Sequence, residues 1–313
     1  MTHRMGSGPA QRPDAAAALL PALALLLNAF VWGVSWWPFR QLQDQGLHPL
    51  WATALIYGFS LLCLLLFRPQ AWRRLGRQPW LWLLMAAAGL TNVGFNWAVT
   101  VGDVVRVVLL FYLMPAWSVL LAWPLLGERP TLVSLMRLGL ALTGVAVVLM
   151  TGDADWPVPE SLADWLALMG GFSFALTNVL LRKLSDEPAP ARILSMFAGG
   201  AVMAAGAGLL GIAQGSVPAP QSLQLSGVVI ALVLSLGFLL SNVALQYGAS
   251  RLQAHTTALI MLSEVVFASV SSVLAGAAEM TPRTWIGGGL ILAAAVWSAW
   301  PAAPPKAGAA TAK

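Results

Sequence analysis

The chain repeats itself, and each copy carries an odd number of apolar runs. At an offset of 142 positions, Phe30 meets Phe172, Arg40 meets Arg182, Leu42 meets Leu184 and Asp44 meets Asp186. At an offset of 150, Asn92 meets Asn242, Val93 meets Val243, Thr131 meets Thr281, Gly139 meets Gly289 and Leu140 meets Leu290. The single matches are weak; their common order and near-constant offset carry the repeat. Five apolar runs per copy mean that, in a bilayer, the second copy enters upside down relative to the first. Inverted repeats around a shared midplane site are a recurring build for secondary transporters.

Only 9% of the residues are charged and 58% are hydrophobic, against about 25% charged in a soluble domain. So little charge leaves little surface to show to water, and the expected class is an all-α polytopic membrane protein. The one cysteine, Cys63, lies inside an apolar run, which excludes an intrachain disulfide. The formal charge of +5 is spread over short loops and does not form a nucleic-acid-binding face.

A helix needs about 20 mostly apolar residues to cross the hydrocarbon core. Ten candidate spans follow: 19–39, 49–67, 80–98, 104–125, 131–150, 163–182, 193–213, 225–247, 253–276 and 283–301. The first repeat is then 19–150 and the second 163–301. An outer linker at 151–162 joins them, and tails at 1–18 and 302–313 flank them. With the N-terminus inside, 14 of the 17 lysines and arginines face the cytoplasm, and only Arg40, Arg106 and Arg283 face out. That bias predicts two cytoplasmic tails in a cell inner (plasma) membrane. The first run also reads as a secretory signal. Its length and its copy at 163–182 favour a retained span.

Polar residues inside these runs are expensive. Glu264 sits mid-way along the ninth run, where a charge costs a few kcal/mol and must be protonated, paired or wet. Thr257, Glu264 and Ser271 share one helical face and read either as a cavity lining or as packing contacts. Asn92 and Asn96 are doubled by Asn242 and Gln246, which suggests a polar lining around a pseudo-twofold axis; interhelical hydrogen bonding is the alternative. Asn28, Trp32, Ser35 and Trp36 stand against Gly170, Phe174, Thr177 and Asn178, an aromatic beside small polar groups in both copies. Asp103 and Arg106 are three apart and can pair on a helix surface, as an outer gate or as a solvated pair. His255 lies half a turn out of phase with Glu264 and is assigned to packing or to the inner rim. Pro115, in the middle of the fourth run, predicts a kink that is either a gate or a static bend.

Several motifs fail on context. Gly206-Ala-Gly-Leu-Leu-Gly211 matches a dinucleotide fingerprint in letters but lies in an apolar run with no preceding strand. The sequence carries no Walker loop, His-Glu-x-x-His or Gly-x-Ser-x-Gly. No cofactor or metal is expected, no catalytic residue is assigned, and the expected partners are a small-molecule substrate and the lipid bilayer, with no obligate protein partner.

The run Pro115…Leu126-Gly-Glu-Arg-Pro130, followed by Arg137-Leu-Gly-Leu-Ala-Leu-Thr-Gly144, resembles the end of an EamA repeat. Glu264, Glu279 and Gly287-Gly-Gly289 resemble the second copy, and Trp32-Gly33 resembles a repeat start. The resemblance is to the EamA-type branch of the drug/metabolite transporter superfamily and covers about residues 20–301. It implies ten spans in two five-helix repeats, cytoplasmic termini and a metabolite exporter or permease, with amino acids among frequent substrates. It also implies a cavity between the first, third, fourth, sixth, eighth and ninth spans. In such repeats the glutamate is often followed by proline; here Val265 follows. The expected function is a secondary transporter that exports small polar or amphipathic metabolites. An uncoupled facilitator is the nearest alternative, and an intramembrane lipid-modifying enzyme the alternative from another class.

Overall fold

In the computed structural model the described residues are 15–150, 158–249, 251–252 and 260–299. They form α-helices and short connections: α1 (Ala15–Val34), α2 (Trp36–Asp44), α3 (Pro49–Phe67), α4 (Pro79–Val101), α5 (Val104–Phe111), α6 (Met114–Leu126), α7 (Leu132–Leu149), α8 (Leu162–Lys183), α9 (Ala189–Ala213), α10 (Leu225–Ala249), α11 (Ser263–Leu274) and α12 (Pro282–Ala299). Taking α1–α2 and α5–α6 as single runs, eight helices among the described residues are long and apolar enough to cross a membrane. Large apolar side chains such as Leu66, Leu132, Val233 and Trp285 point outward, as a lipid-facing surface requires. The Gly206–Gly211 letters lie inside α9.

Two of the expected spans are broken, and proline sets the break. A proline has no N–H for the carbonyl four residues back, and its ring clashes with that carbonyl. α1 ends at Val34, four residues before Pro38, and α5 ends at Phe111, four before Pro115. The expected kink at Pro115 is therefore a break at Tyr112–Leu113, and Pro115 opens the following helix. The freed Phe111 carbonyl lies against Gly171, where an added Cβ would come within 2.5 Å of it.

Helix directions follow from the contacts. α7 and α12 run antiparallel, since Gly144 meets Gly287 and Ile291, and Val148 meets Gly287, while Arg137 lies over Trp297. α3 and α9 also run antiparallel, with Tyr57 against Gly200 and Trp51 against Gly208. α4 packs on α8 at Gly94–Gly170 and on α9 at Gly89–Gly199. Without a hydrophobic drive between helices in lipid, such close crossings rest on small residues. A Cβ on Gly199 would lie 2.0 Å from the Met85 carbonyl oxygen, so the helices would have to part. Gly199→Ala is expected to lower the thermal unfolding midpoint of the purified protein by several degrees; a midpoint equal to wild type would contradict this crossing.

Candidate substrate site

The fourth span of each repeat is interrupted at the same place. At the offset of 150, Tyr112 and Leu113 in the first break correspond to Leu262 and Ser263 in the second, where α11 begins after a turn at Leu262. The second break has no proline, because Val265 occupies the position of Pro115. Its cause is a set of diverted hydrogen bonds. The Val265 N–H donates to Leu262 O at 3.1 Å and leaves the Met261 carbonyl free. The Tyr112 hydroxyl takes that carbonyl at 3.2 Å, and Ser263 Oγ donates to Ile260 O at 2.7 Å. A side-chain hydroxyl thus replaces a backbone donor.

Tyr112 also donates to Glu264 Oε2 at 3.2 Å. Glu264 lies in the first turn of α11, where the exposed N–H groups of a helix start favour a carboxylate. Both residues are buried. The Glu264 backbone carbonyl lies beside Gly33 of α1, within 2.8 Å of where a Cβ would stand. Three elements, α1, the α5–α6 break and the α11 start, therefore meet at Glu264, α1 at its backbone carbonyl and Tyr112 at its carboxylate. Half-helix ends facing each other near the midplane are the construction that transporters use to present backbone dipoles to a substrate or ion.

A chain of aromatic rings leads away from this point. Phe111 lies 4.8 Å from Phe95 and 5.4 Å from Phe174, and Phe95 is edge-on to Trp32 at 6.1 Å. Trp32 stacks on Phe238 at 4.6 Å, and Phe238 meets Tyr57 at 5.7 Å. The Tyr57 hydroxyl donates to Asn92 Oδ1. Helices of both repeats thus share one aromatic seam, with Trp32 at its middle.

The polar residues expected at the site fall into three groups. The first is buried around the seam. Asn28 donates to Ser241 O at 3.0 Å and to Ser241 Oγ at 2.5 Å. Asn92 donates to Ala88 O at 2.8 Å, and Asn96 to Thr53 Oγ1 at 3.2 Å. Thr177 is 2% exposed, and Asn28 Oδ1, Asn96 Oδ1 and Thr177 Oγ1 are buried acceptors with no partner among the described residues. The second group lies toward the flank. Ser35 donates to Trp32 O, and Trp36 Nε1 donates to Ser271 Oγ at 2.9 Å. Together with α10, these residues wall a mostly apolar cleft of about 570 Å³. The third group is more open. Asn178 is exposed and donates to Phe174 O, Asn242 is half-buried and Gln246 is exposed. The doubled amides are thus equivalent in sequence and unequal in burial. Thr257 and His255 lie outside the described residues.

The expected pairing of Asp103 with Arg106 is corrected in its partners. Asp103 Oδ1 caps α5 by accepting the backbone N–H of Arg106 at 2.8 Å. The Arg106 guanidinium instead makes a bidentate pair with Asp164, Nε–Oδ1 at 2.7 Å and Nη2–Oδ2 at 3.0 Å, and donates to Val148 O at 2.5 Å. An N-cap carboxylate with a free helix N–H next to it has no reason to reach for the side chain. Asp164 further accepts from the Glu160 and Ser161 N–H groups, and Asp103 Oδ2 accepts from the Glu279 N–H at 3.1 Å. The network ties the starts of α5 and α8, the end of α7 and the segment before α12. At the opposite end of the bundle, Arg182 pairs with Glu128 at 2.5 Å and Lys183 donates to Leu125 O, joining α6 to α8 in an exposed contact.

Tyr112, Tyr57 and Asp164 are the functional candidates that sequence reasoning misses. Two of the chain's three tyrosines sit mid-span, which is the signal that was there to read.

Comparison with known proteins agrees with this architecture. The sequence profile of the EamA-like transporter family matches residues 19–150 and 161–300. The chain is 28% identical over 289 residues to Protein RarD of Streptomyces exfoliatus, spanning 87% of this chain and 85% of that one. A solved crystal structure superimposes with a TM-score of 0.55 at 18% identity, over 91% of this chain and 96% of the other. That is a likeness of fold.

Proposed function

The chain belongs to the EamA-like transporter family, and from that premise we propose that it is a secondary transporter that exports small polar or amphipathic metabolites, amino acids among them, across the cell inner membrane. Ten spans form two inverted five-helix repeats with both termini in the cytoplasm. The repeats rock about the seam of Trp32, Phe95, Phe111 and Phe238 and expose it alternately to either side. The observation that carries the reading is the pair of helix breaks at repeat-equivalent positions, with Tyr112 of one bound to Glu264 of the other. The antiparallel pairing of α3 with α9 and of α7 with α12 supports the inversion, because each is a pair of repeat-equivalent spans. Amphipathic substrates suit a seam with aromatic walls and unfilled acceptors on Asn28, Asn96 and Thr177.

The test is flux. Proteoliposomes loaded with a panel of amino acids and amphipathic amines are expected to release at least one member in a saturable, protein-dependent way. Release no faster than from empty liposomes across the panel would remove the small-metabolite reading. Orientation is read on the same preparation: a cysteine at Arg74 labels from one side only and a cysteine at Asp155 from the other, and labelling of both from one side would sink the inverted topology.

A further inference from the structure

Arg137 is a cation inside a span with no carboxylate beside it among the described residues. It stands one and a half turns into α7, about 8 Å along the axis from Leu132. Its Nε is buried without a hydrogen-bond partner, and no carboxylate reaches it among the described residues. It lies over Trp297 of α12, the guanidinium carbon 5.5 Å from the ring centroid. An arginine keeps its proton in a protein, so this charge needs an anion or water. The side chain edges a crevice between α6, α7 and α12, walled by Ala116, Val119, Ala141, Ile291 and Ala294 and reaching inward to Tyr112. The crevice is about 10 Å³, enough for one water and no more. Any larger ligand of Arg137 therefore sits at the mouth, toward lipid, where Trp297 is 36% exposed.

We propose that Arg137, placed over the ring of Trp297 at the mouth of the α6–α7–α12 crevice, binds the phosphate of an anionic phospholipid. Side chains on a helix lean toward its N-terminus, so the free Nη groups of Arg137 lean toward the start of α7 and the headgroup level. A guanidinium fork matches two phosphate oxygens, and a cation–π contact with an indole helps hold the cation in place. Arg129, exposed just before α7, adds a second positive charge at the same end. That favours a lipid with net negative charge over one whose headgroup carries its own cation. The lipid sits at the outer mouth, on the face of α7 and α12 and at the far end of the crevice from Tyr112, and its binding does not depend on what the protein transports.

Native mass spectrometry of the detergent-purified protein, titrated with phosphatidylglycerol, phosphatidylcholine or inorganic phosphate, tests this. Wild type is expected to retain phosphatidylglycerol in preference to phosphatidylcholine, and Arg137→Gln to weaken that retention about fivefold, the effect of one basic side chain near an anionic lipid surface. Arg137→Lys keeps the charge, removes the fork and is the safer variant for folding; intermediate retention is expected. Equal retention of phosphatidylglycerol by wild type and Arg137→Gln would overturn the site. Wild-type retention by Arg137→Lys would overturn the fork contact. Displacement of the lipid by an equal concentration of inorganic phosphate would reassign the ligand to a free anion.

Discussion

Glu264→Gln is expected to abolish gradient-driven accumulation of substrate while leaving exchange across the membrane. The amide keeps the shape of the side chain and can still accept from the Tyr112 hydroxyl, which lies 3.2 Å away in the wild type. It cannot gain or lose a proton. If transport is coupled to protons through this group, each cycle changes the charge at the meeting point of the two broken helices by one unit. The charged form is favoured by the α11 start and the neutral form by burial. The variant removes that choice. Substrate moving down its own gradient needs no such step, so counterflow of labelled substrate is expected to persist. The readout is accumulation against an imposed pH gradient, compared with counterflow at zero gradient. Wild-type accumulation and wild-type pH dependence in Glu264→Gln would leave an uncoupled facilitator and assign the glutamate to packing.

The second large effect is expected at the end of the bundle that holds Arg106 and Asp164. Asp164 is 2% exposed and Arg106 is 24% exposed at the side chain. Their pair is surrounded by further bonds to the Val148 carbonyl and to the Glu160 and Ser161 N–H groups. Breaking a buried pair by removing one partner costs about 3–5 kcal/mol, because the other charge is left without compensation. Asp164→Asn is placed near the low end, at about 3 kcal/mol, since Arg106 retains some contact with water. The thermal midpoint of the purified protein measures this, and a loss of less than a degree would contradict the network. The charge swap Arg106→Asp with Asp164→Arg is not expected to restore stability. A swapped aspartate cannot donate to the Val148 carbonyl, and a swapped arginine cannot accept from Glu160 and Ser161.

Much of this was legible in the sequence, and the parts that were not have identifiable causes. The repeat offsets, the apolar runs and the place of Glu264 depend on local composition, which a bilayer makes strict. Pro115 read as a kink, while the break it makes begins at Phe111, because proline acts on the carbonyl four residues back. The break before Glu264 had no proline to announce it. It is made by Tyr112, which is 152 residues away in sequence, and no local pattern encodes such a bond. Arg106 looked paired with its neighbour at i−3, yet the backbone N–H at that helix start claimed Asp103 first. Asn242 and Gln246 match Asn92 and Asn96 letter for letter or nearly so, but burial depends on which neighbours a helix meets. α4 is enclosed by α8 and α9, whereas one side of α10 faces outward through Val233, Leu240 and Val243.

Rocking about the aromatic seam implies that the two ends of the bundle open in turn. With Cys63 replaced by serine, spin labels at Val158 and Glu279 report the end that holds Arg106, and labels at Arg129 and Ser185 report the end that holds Arg182. Double electron–electron resonance in liposomes, across pH and with each candidate substrate, is expected to give two distances for each pair. Conditions that lengthen the first pair should shorten the second. A single unchanging distance for both pairs under every condition would contradict alternating access.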